Sequence, residues 1–232
     1  MSFMLLFKIK DTILSVYFGY LTAISVFFVN FQLLTADTLK MILIELMPIA
    51  IFVLFTVTLL SKGKKNIQDV MITLFGMVYI PFFLMFLTLT RQLEHGEYLV
   101  WFIFLGAWIT DSFAYIVGKA CGKHKFSKIS PNKTIEGAVG GLVFCAIFYG
   151  IYTALLKHWG IVELNIVTMV LVGFVISLIS QIGDLSASSI KRFCEVKDFG
   201  KIMPGHGGVL DRFDSIIMIS PFVYLFMQFF VK

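Results

Sequence analysis

The residues best suited to chemistry lie between positions 183 and 215, in the stretch GDLSASSIKRFCEVKDFGKIMPGHGGVLDRFDS. Asp184 stands where a long apolar run ends. Lys191 and Arg192 follow, then Lys197 beside Asp198, then the turn Pro204-Gly205-His206-Gly207-Gly208. Asp211, Arg212 and Asp214 come last, just ahead of another apolar run. Asp211 and Asp214 are three apart, so on a helical turn their carboxylates point to nearly one face. Like charges so placed repel unless a cation or a base lies between them, and Asp184 can complete the set from a neighbouring helix. Hard carboxylate oxygens with few ligands and room for substrate phosphates suit Mg²⁺. Glycine-rich backbone, Lys and Arg suit the phosphates themselves. This is the inventory of phosphoryl or nucleotidyl transfer, in which positioning and charge neutralisation do most of the catalysis. A merely solvated loop needs neither the Pro-Gly-His-Gly-Gly turn nor acids set against membrane ends.

A second stretch, DSFAYIVGKACGKHKFSKISPNKTIEGAVGG, covers 111–141. Asp111 sits about seven residues inside an apolar run, roughly 10 Å from its end. A carboxylate there costs on the order of 2.5–3.5 kcal/mol, so it faces a wet cavity or pairs with a base. Gly118-Lys119 and Gly122-Lys123 approach a phosphate loop, but their spacing is about one residue short and His124 replaces the required Ser or Thr. A Walker-type NTPase is excluded on that ground. Ser130-Pro131-Asn132-Lys133-Thr134 reads as a helix start, where anions bind well. Gly137 and Gly141 form a small-xxx-small pair suited to helix packing.

These residues must be held by membrane helices. The chain has 232 residues, 59% hydrophobic and only 14% charged, with a mean hydropathy of +0.92. A soluble domain carries about 25% charged residues. Seven apolar runs, at 13–34, 42–60, 70–90, 99–118, 136–156, 165–183 and 215–231, are each about long enough to span a bilayer. Pro221 in the last predicts a kink. Counting loops alternately puts fifteen of the nineteen Lys and Arg residues on one side and four on the other, so the amino terminus is expected to be cytoplasmic. No cleavable signal is expected at the start. The net charge of +5 is that of a positive-inside protein, aided by anionic lipid headgroups, and gives no reason to expect nucleic acid. Cys121, Cys145 and Cys194 have neither disulfide nor zinc spacing. The expectation is an all-α polytopic protein: a single integral membrane domain over 1–232, with hydrophobic amino-terminal helices over 1–98 and a catalytic half over 99–232.

The two polar stretches together resemble the phosphatidate cytidylyltransferase family, the CDP-diacylglycerol synthases. The signature S-x-x-K-R-x-x-x-x-K-D, then P-G-H-G-G-x-x-D-R-x-D, runs here from Ser188 through Lys191, Arg192, Lys197 and Asp198 to Asp211, Arg212 and Asp214. The elements Gly183-Asp184-Leu185, D-S-x-A-Y-x-x-G-K and S-P-x-K-T-x-E-G also fit. Met203 stands where the family usually has Leu, Ile or Phe, and the amino-terminal part looks shorter than in many members.

The resemblance implies a membrane enzyme that converts CTP and phosphatidate to CDP-diacylglycerol and pyrophosphate with Mg²⁺. A monovalent cation such as K⁺ and a homodimer are compatible with it. Asp184 and Asp211, assisted by Asp214, would hold metal. Lys191, Arg192, Lys197 and Arg212 would neutralise the triphosphate, and Gly207 and Gly208 would bring backbone to it. His206 would donate to a phosphate oxygen or brace the turn. Asp111, Lys119, Lys133 and Thr134 would line the opposite wall. The implied location is the cell membrane, with the site facing the cytoplasm. A CTP-dependent polyprenol kinase is the nearest alternative; a transporter is a more distant one, since the polar signal occupies only one half.

Overall fold

An apolar run in a bilayer becomes a helix because every backbone polar group must be satisfied within the segment. The computed structural model describes residues 36–61, 66–125, 130, 133–199, 208 and 210–230. Among them there is no strand, and the chain is an all-α, multi-pass membrane protein. Five helical stretches are long and apolar enough to cross a membrane: Ile67–Arg91, Gly96–Cys121, Ile135–His158, Ile166–Phe193 and Leu210–Phe230. They match the last five expected runs. Of the other two, 13–34 lies outside the described residues. The run at 42–60 lies within a 25-residue helix, Ala36–Leu60.

The chain separates into two compact units, residues 1–88 and 89–232. In the first, α1 (Ala36–Leu60) and α2 (Ile67–Met77) meet through Ala50, Leu54, Val70, Met77 and Leu74. A π-helical turn, Val78–Phe82, follows α2. It contains Pro81, which has no N–H to give to an α ladder. Helix α3 (Phe83–Arg91) then carries the chain into the second unit.

The second unit holds every described residue singled out for chemistry. The short α4 (Gly96–Leu99) leads into α5 (Trp101–Cys121), followed by α6 (Ile135–His158), α7 (Ile166–Phe193) and α8 (Leu210–Phe230). Helix α5 packs on α6, α6 on α7 and α7 on α8, while α7 and α8 both return to α5. Thr134 caps α6 by accepting from the Gly137 N–H at 3.1 Å. Asn165 caps α7 through Val167 and Thr168. A Schellman closure ends α7: Glu195, at φ 57°, donates to Arg192, and Val196 donates to Lys191 at 2.9 Å. Helix α8 runs uninterrupted through the buried Pro221.

Successive long helices are antiparallel, so the end of α5, the start of α6, the end of α7 and the start of α8 meet at one end of the bundle. The outward faces are large and apolar, while the inward faces mix small and polar residues with large ones such as Phe102, Met169 and Ile176, small residues letting helices approach closely. On α6 the outward stripe is Val139, Val143, Ile147, Ile151 and Leu155. Its inner face carries Gly137, Gly140, Gly141, Cys145 and Tyr149. A side chain at Gly137 would collide with the backbone of Ala114 on α5, and one at Gly141 would lie 2.9 Å from the Thr110 carbonyl oxygen. The small-xxx-small pair therefore sets a close α5–α6 crossing. Tyr149 donates to the Phe102 carbonyl at 2.5 Å, and a buried Thr110–Ser177 hydrogen bond of 2.8 Å joins α5 to α7.

Gly137→Leu should therefore destabilise the detergent-solubilised protein by about 1–3 kcal/mol, the usual cost of overpacking. Val143→Ala, on the lipid face, should change stability by under about 0.5 kcal/mol. Thermal unfolding of the two variants side by side checks the contrast.

Candidate active site

The chemistry-bearing side chains converge where the four helix ends meet. Asp111 lies on α5, ten residues before Cys121 and so about 15 Å from the helix end. That is deeper than the sequence suggested, because α5 continues three residues past Gly118. Asp184 is on α7, and Asp214 is buried in the second turn of α8. The three carboxylates act on one another electrostatically, and Ser215 bridges two of them. Its backbone N–H donates to Asp214 Oδ1 at 2.8 Å and its hydroxyl to Asp111 Oδ2 at 3.4 Å.

Two lysines balance this charge. Lys133, just ahead of the α6 cap, forms an ion pair with Asp184 Oδ2. Lys191, near the end of α7, pairs with Asp211 Oδ1 at 2.9 Å, with both side chains largely buried. The same ammonium lies 5.2 Å from the Phe199 ring centroid, a favourable cation–π placement. Asp211 Oδ2 accepts the backbone N–H groups of Phe199 and Gly208, each at 2.9 Å. Asp211 in turn donates its own N–H to the Gly208 carbonyl at 3.2 Å. Asp211 is thus the knot that ties the end of α7, residue 199 and residue 208 to the start of α8.

Of the expected metal ligands, Asp184 and Asp214 each keep an oxygen without a hydrogen bond among the described residues, whereas both oxygens of Asp211 are engaged. Among the described residues, no three His, Cys, Asp or Glu side chains form a closed metal site. The donor chemistry nevertheless fits a hard divalent cation. Mg²⁺ is usually held by one or two carboxylates plus substrate phosphates and water, and neighbouring, mutually repelling carboxylates supply that kind of site.

The remaining expected residues are less tightly drawn in. The Lys119 ammonium lies 5.8 Å from the Tyr115 ring centroid on its own helix. Arg192, Lys197 and Arg212 are exposed around the same end, and Gly208 is buried beneath them. Thr134 spends its hydroxyl oxygen on the helix cap. His206 and Gly207 lie outside the described residues. Gly118 and Gly122, which invited comparison with a phosphate loop, make room for Thr134: a Cβ on either would come within 2.9 Å of its side chain. Sequence reasoning passed over Ser215 and Phe199. Ser215 adjoins the Asp211–Asp214 pair and had a polar signal; Phe199 acts through its backbone and ring and had none.

A model of the cytidylyltransferase family matches residues 3–230. The phosphatidate cytidylyltransferase of Staphylococcus haemolyticus is 40% identical over 177 residues, covering 76% of this chain and 66% of that protein. The enzymes of the same name from Staphylococcus saprophyticus and Staphylococcus aureus strain COL are 38% and 40% identical over 179 residues, with the same coverage. The chain spans just under two thirds of the length of these curated relatives.

Removing one partner of a buried ion pair leaves an uncompensated charge at a cost of about 3–5 kcal/mol. Asp211→Asn should therefore destabilise the protein by about 3 kcal/mol, and adding Lys191→Met should recover part of the loss. A double-mutant cycle of thermal unfolding in detergent reads both.

Proposed function

The chain belongs to the cytidylyltransferase family, and on that premise we propose that it transfers the cytidylyl group of CTP to phosphatidate, giving CDP-diacylglycerol and pyrophosphate. The observation that carries the reading is the pairing of carboxylates with lysines, Lys133 with Asp184 and Lys191 with Asp211, at one end of a membrane bundle. A lipid phosphate at the bilayer edge and a nucleotide from the aqueous side can both reach that end. The names of the curated relatives support the same substrates.

The phosphate oxygen of phosphatidate attacks the α-phosphorus of CTP. A new P–O bond forms to the lipid phosphate, the bond between the α-phosphorus and its bridging oxygen breaks, and its electron pair leaves with pyrophosphate. A phosphate monoester is mostly dianionic at neutral pH, its second pKa being about 6, so no strong general base is needed. The difficulty is bringing two anions together. Lys133 and Lys191 stand beside the acids to offset that charge, and the exposed Arg192, Lys197 and Arg212 extend the positive field toward the triphosphate. Asp184, with Asp214 and Asp111, would hold Mg²⁺, and the ion would supply neutralisation of phosphate charge and Lewis-acid polarisation. Asp211 acts chiefly by placing Lys191 and the Gly208 backbone.

The acidic end faces the cytoplasm in this reading. In the sequence, the stretches 122–134 and 194–209 carry Lys123, Lys125, Lys128, Lys133, Lys197 and Lys201, whereas 157–165, the end of α6 and the connection to α7, carries Lys157 alone. Short cytoplasmic loops are enriched in such residues, and CTP is supplied from that side.

The test uses purified protein in detergent with phosphatidate, Mg²⁺ and CTP labelled separately at the α and γ positions. Label from the α position should enter the lipid, be lost on chelation of Mg²⁺, and fall by at least about a hundredfold in Asp184→Asn. Incorporation of γ label alone would assign the protein to the lipid kinases instead.

A further inference from the structure

Between α5 and α6 the chain must leave one membrane helix, enter the next, and present Lys133 to a carboxylate on a third. The described residues at the base of this loop are joined by several bonds centred on His124 and Glu136. The His124 backbone N–H lies 3.3 Å from each oxygen of the Glu136 carboxylate, and its Nδ1 lies 2.7 Å from Oε1. The His124 carbonyl accepts from the Ile135 N–H at 2.9 Å, and Lys125 pairs with Thr134 in an antiparallel bridge.

Lys133 stands immediately beside this fixed base. Its N–H reaches the Ser130 carbonyl at 3.1 Å, and its ammonium pairs with Asp184. A slip of one residue at the base would move the Lys133 Cα by about 3.8 Å, enough to take the ammonium away from Asp184. His124 is 74% exposed and Glu136 27% exposed. Exposed ion pairs of this kind add little to global stability, so stability alone does not account for the contact. The two chain segments it joins are those that set Lys133.

We propose that His124 and Glu136 are positioning residues, a clasp that fixes the loop register and thereby sets Lys133 against Asp184. The inference rests on the reading of Lys133 as part of the transfer site, and one arm of its test is independent of transfer. Full-length Glu136→Ala and His124→Ala, each with and without Lys133→Met, are assayed for transfer of α-labelled cytidylyl. In parallel, an amine-acylating reagent probes Lys133, mapped by mass spectrometry with Lys125 as the internal reference. His124→Ala keeps its backbone donor and serves if Glu136→Ala does not fold.

Breaking the clasp should lower transfer by about tenfold or more, the scale of a misplaced catalytic group, with little change in Tm. Acylation of Lys133 should rise relative to Lys125. In the Lys133→Met background the same changes should add nothing. Glu136→Gln, which retains an acceptor for His124, should recover most of the rate. Equal fold losses in both backgrounds, or unchanged acylation of Lys133, would overturn the proposal. A wild-type protein that transfers no cytidylyl while Lys133 still becomes more reactive on breaking the clasp would remove the transfer reading and leave the clasp supported.

Discussion

Carboxylates held close to one another at the edge of a low-dielectric bundle cannot persist without positive charge nearby, and this constraint organises the catalytic unit. Asp111, Asp184 and Asp214 come from three different helices and share one field. Lys133 and Lys191 answer that field from a loop and from the end of α7. The fold must therefore bring four helix ends together, and the close α5–α6 and α7–α8 crossings do so. At the second of these, Gly183 sits one residue before Asp184, and a side chain there would press on Met218. The glycine that permits the crossing is thus adjacent to the carboxylate that uses it.

Stability and chemistry draw on the same contacts. Asp211 spends its carboxylate on Lys191, Phe199 and Gly208, which fixes where the chain between α7 and α8 begins and ends. A residue that reads as a ligand in the sequence thus holds the surrounding backbone in place. Lys133 depends on a loop base that must be registered before its ion pair can form. Both lysines are positioned by backbone hydrogen bonds that a list of charged residues does not reveal.

Much of the architecture was legible because a bilayer leaves few choices. The five described spans coincide with apolar runs apparent in the sequence. Their ends were harder to place, since α5 extends past Gly118 through residues polar enough to look like loop. The acidic character of this end was legible from residue types, because Asp is rare next to apolar runs, but its grouping was not: Asp111 joins Asp184 and Asp214 rather than the opposite wall, and Asp211 turns to Lys191 and the backbone. What escaped was the internal arrangement. With both faces of α6 and α7 apolar, hydropathy has little helical periodicity. The inner face is marked instead by size, as in Gly140, Gly141, Ala146 and Gly173, a weaker signal. The glycines at 118 and 122 resembled a phosphate loop because close packing and phosphate approach both require the absence of a side chain. Only the position of Thr134 separates the two.

The most direct test of the account is whether Lys133 and Asp184 act as a unit. A double-mutant cycle of Lys133→Met, Asp184→Asn and the pair, read by unfolding in detergent, measures this without reference to any substrate. The account predicts coupling of about 0.5–3 kcal/mol, the range for residues in contact, with the double variant more stable than the sum of the single losses implies. Losses that simply add would mean that Lys133 does not answer the charge of Asp184, and the arrangement built around that pair would have to be abandoned.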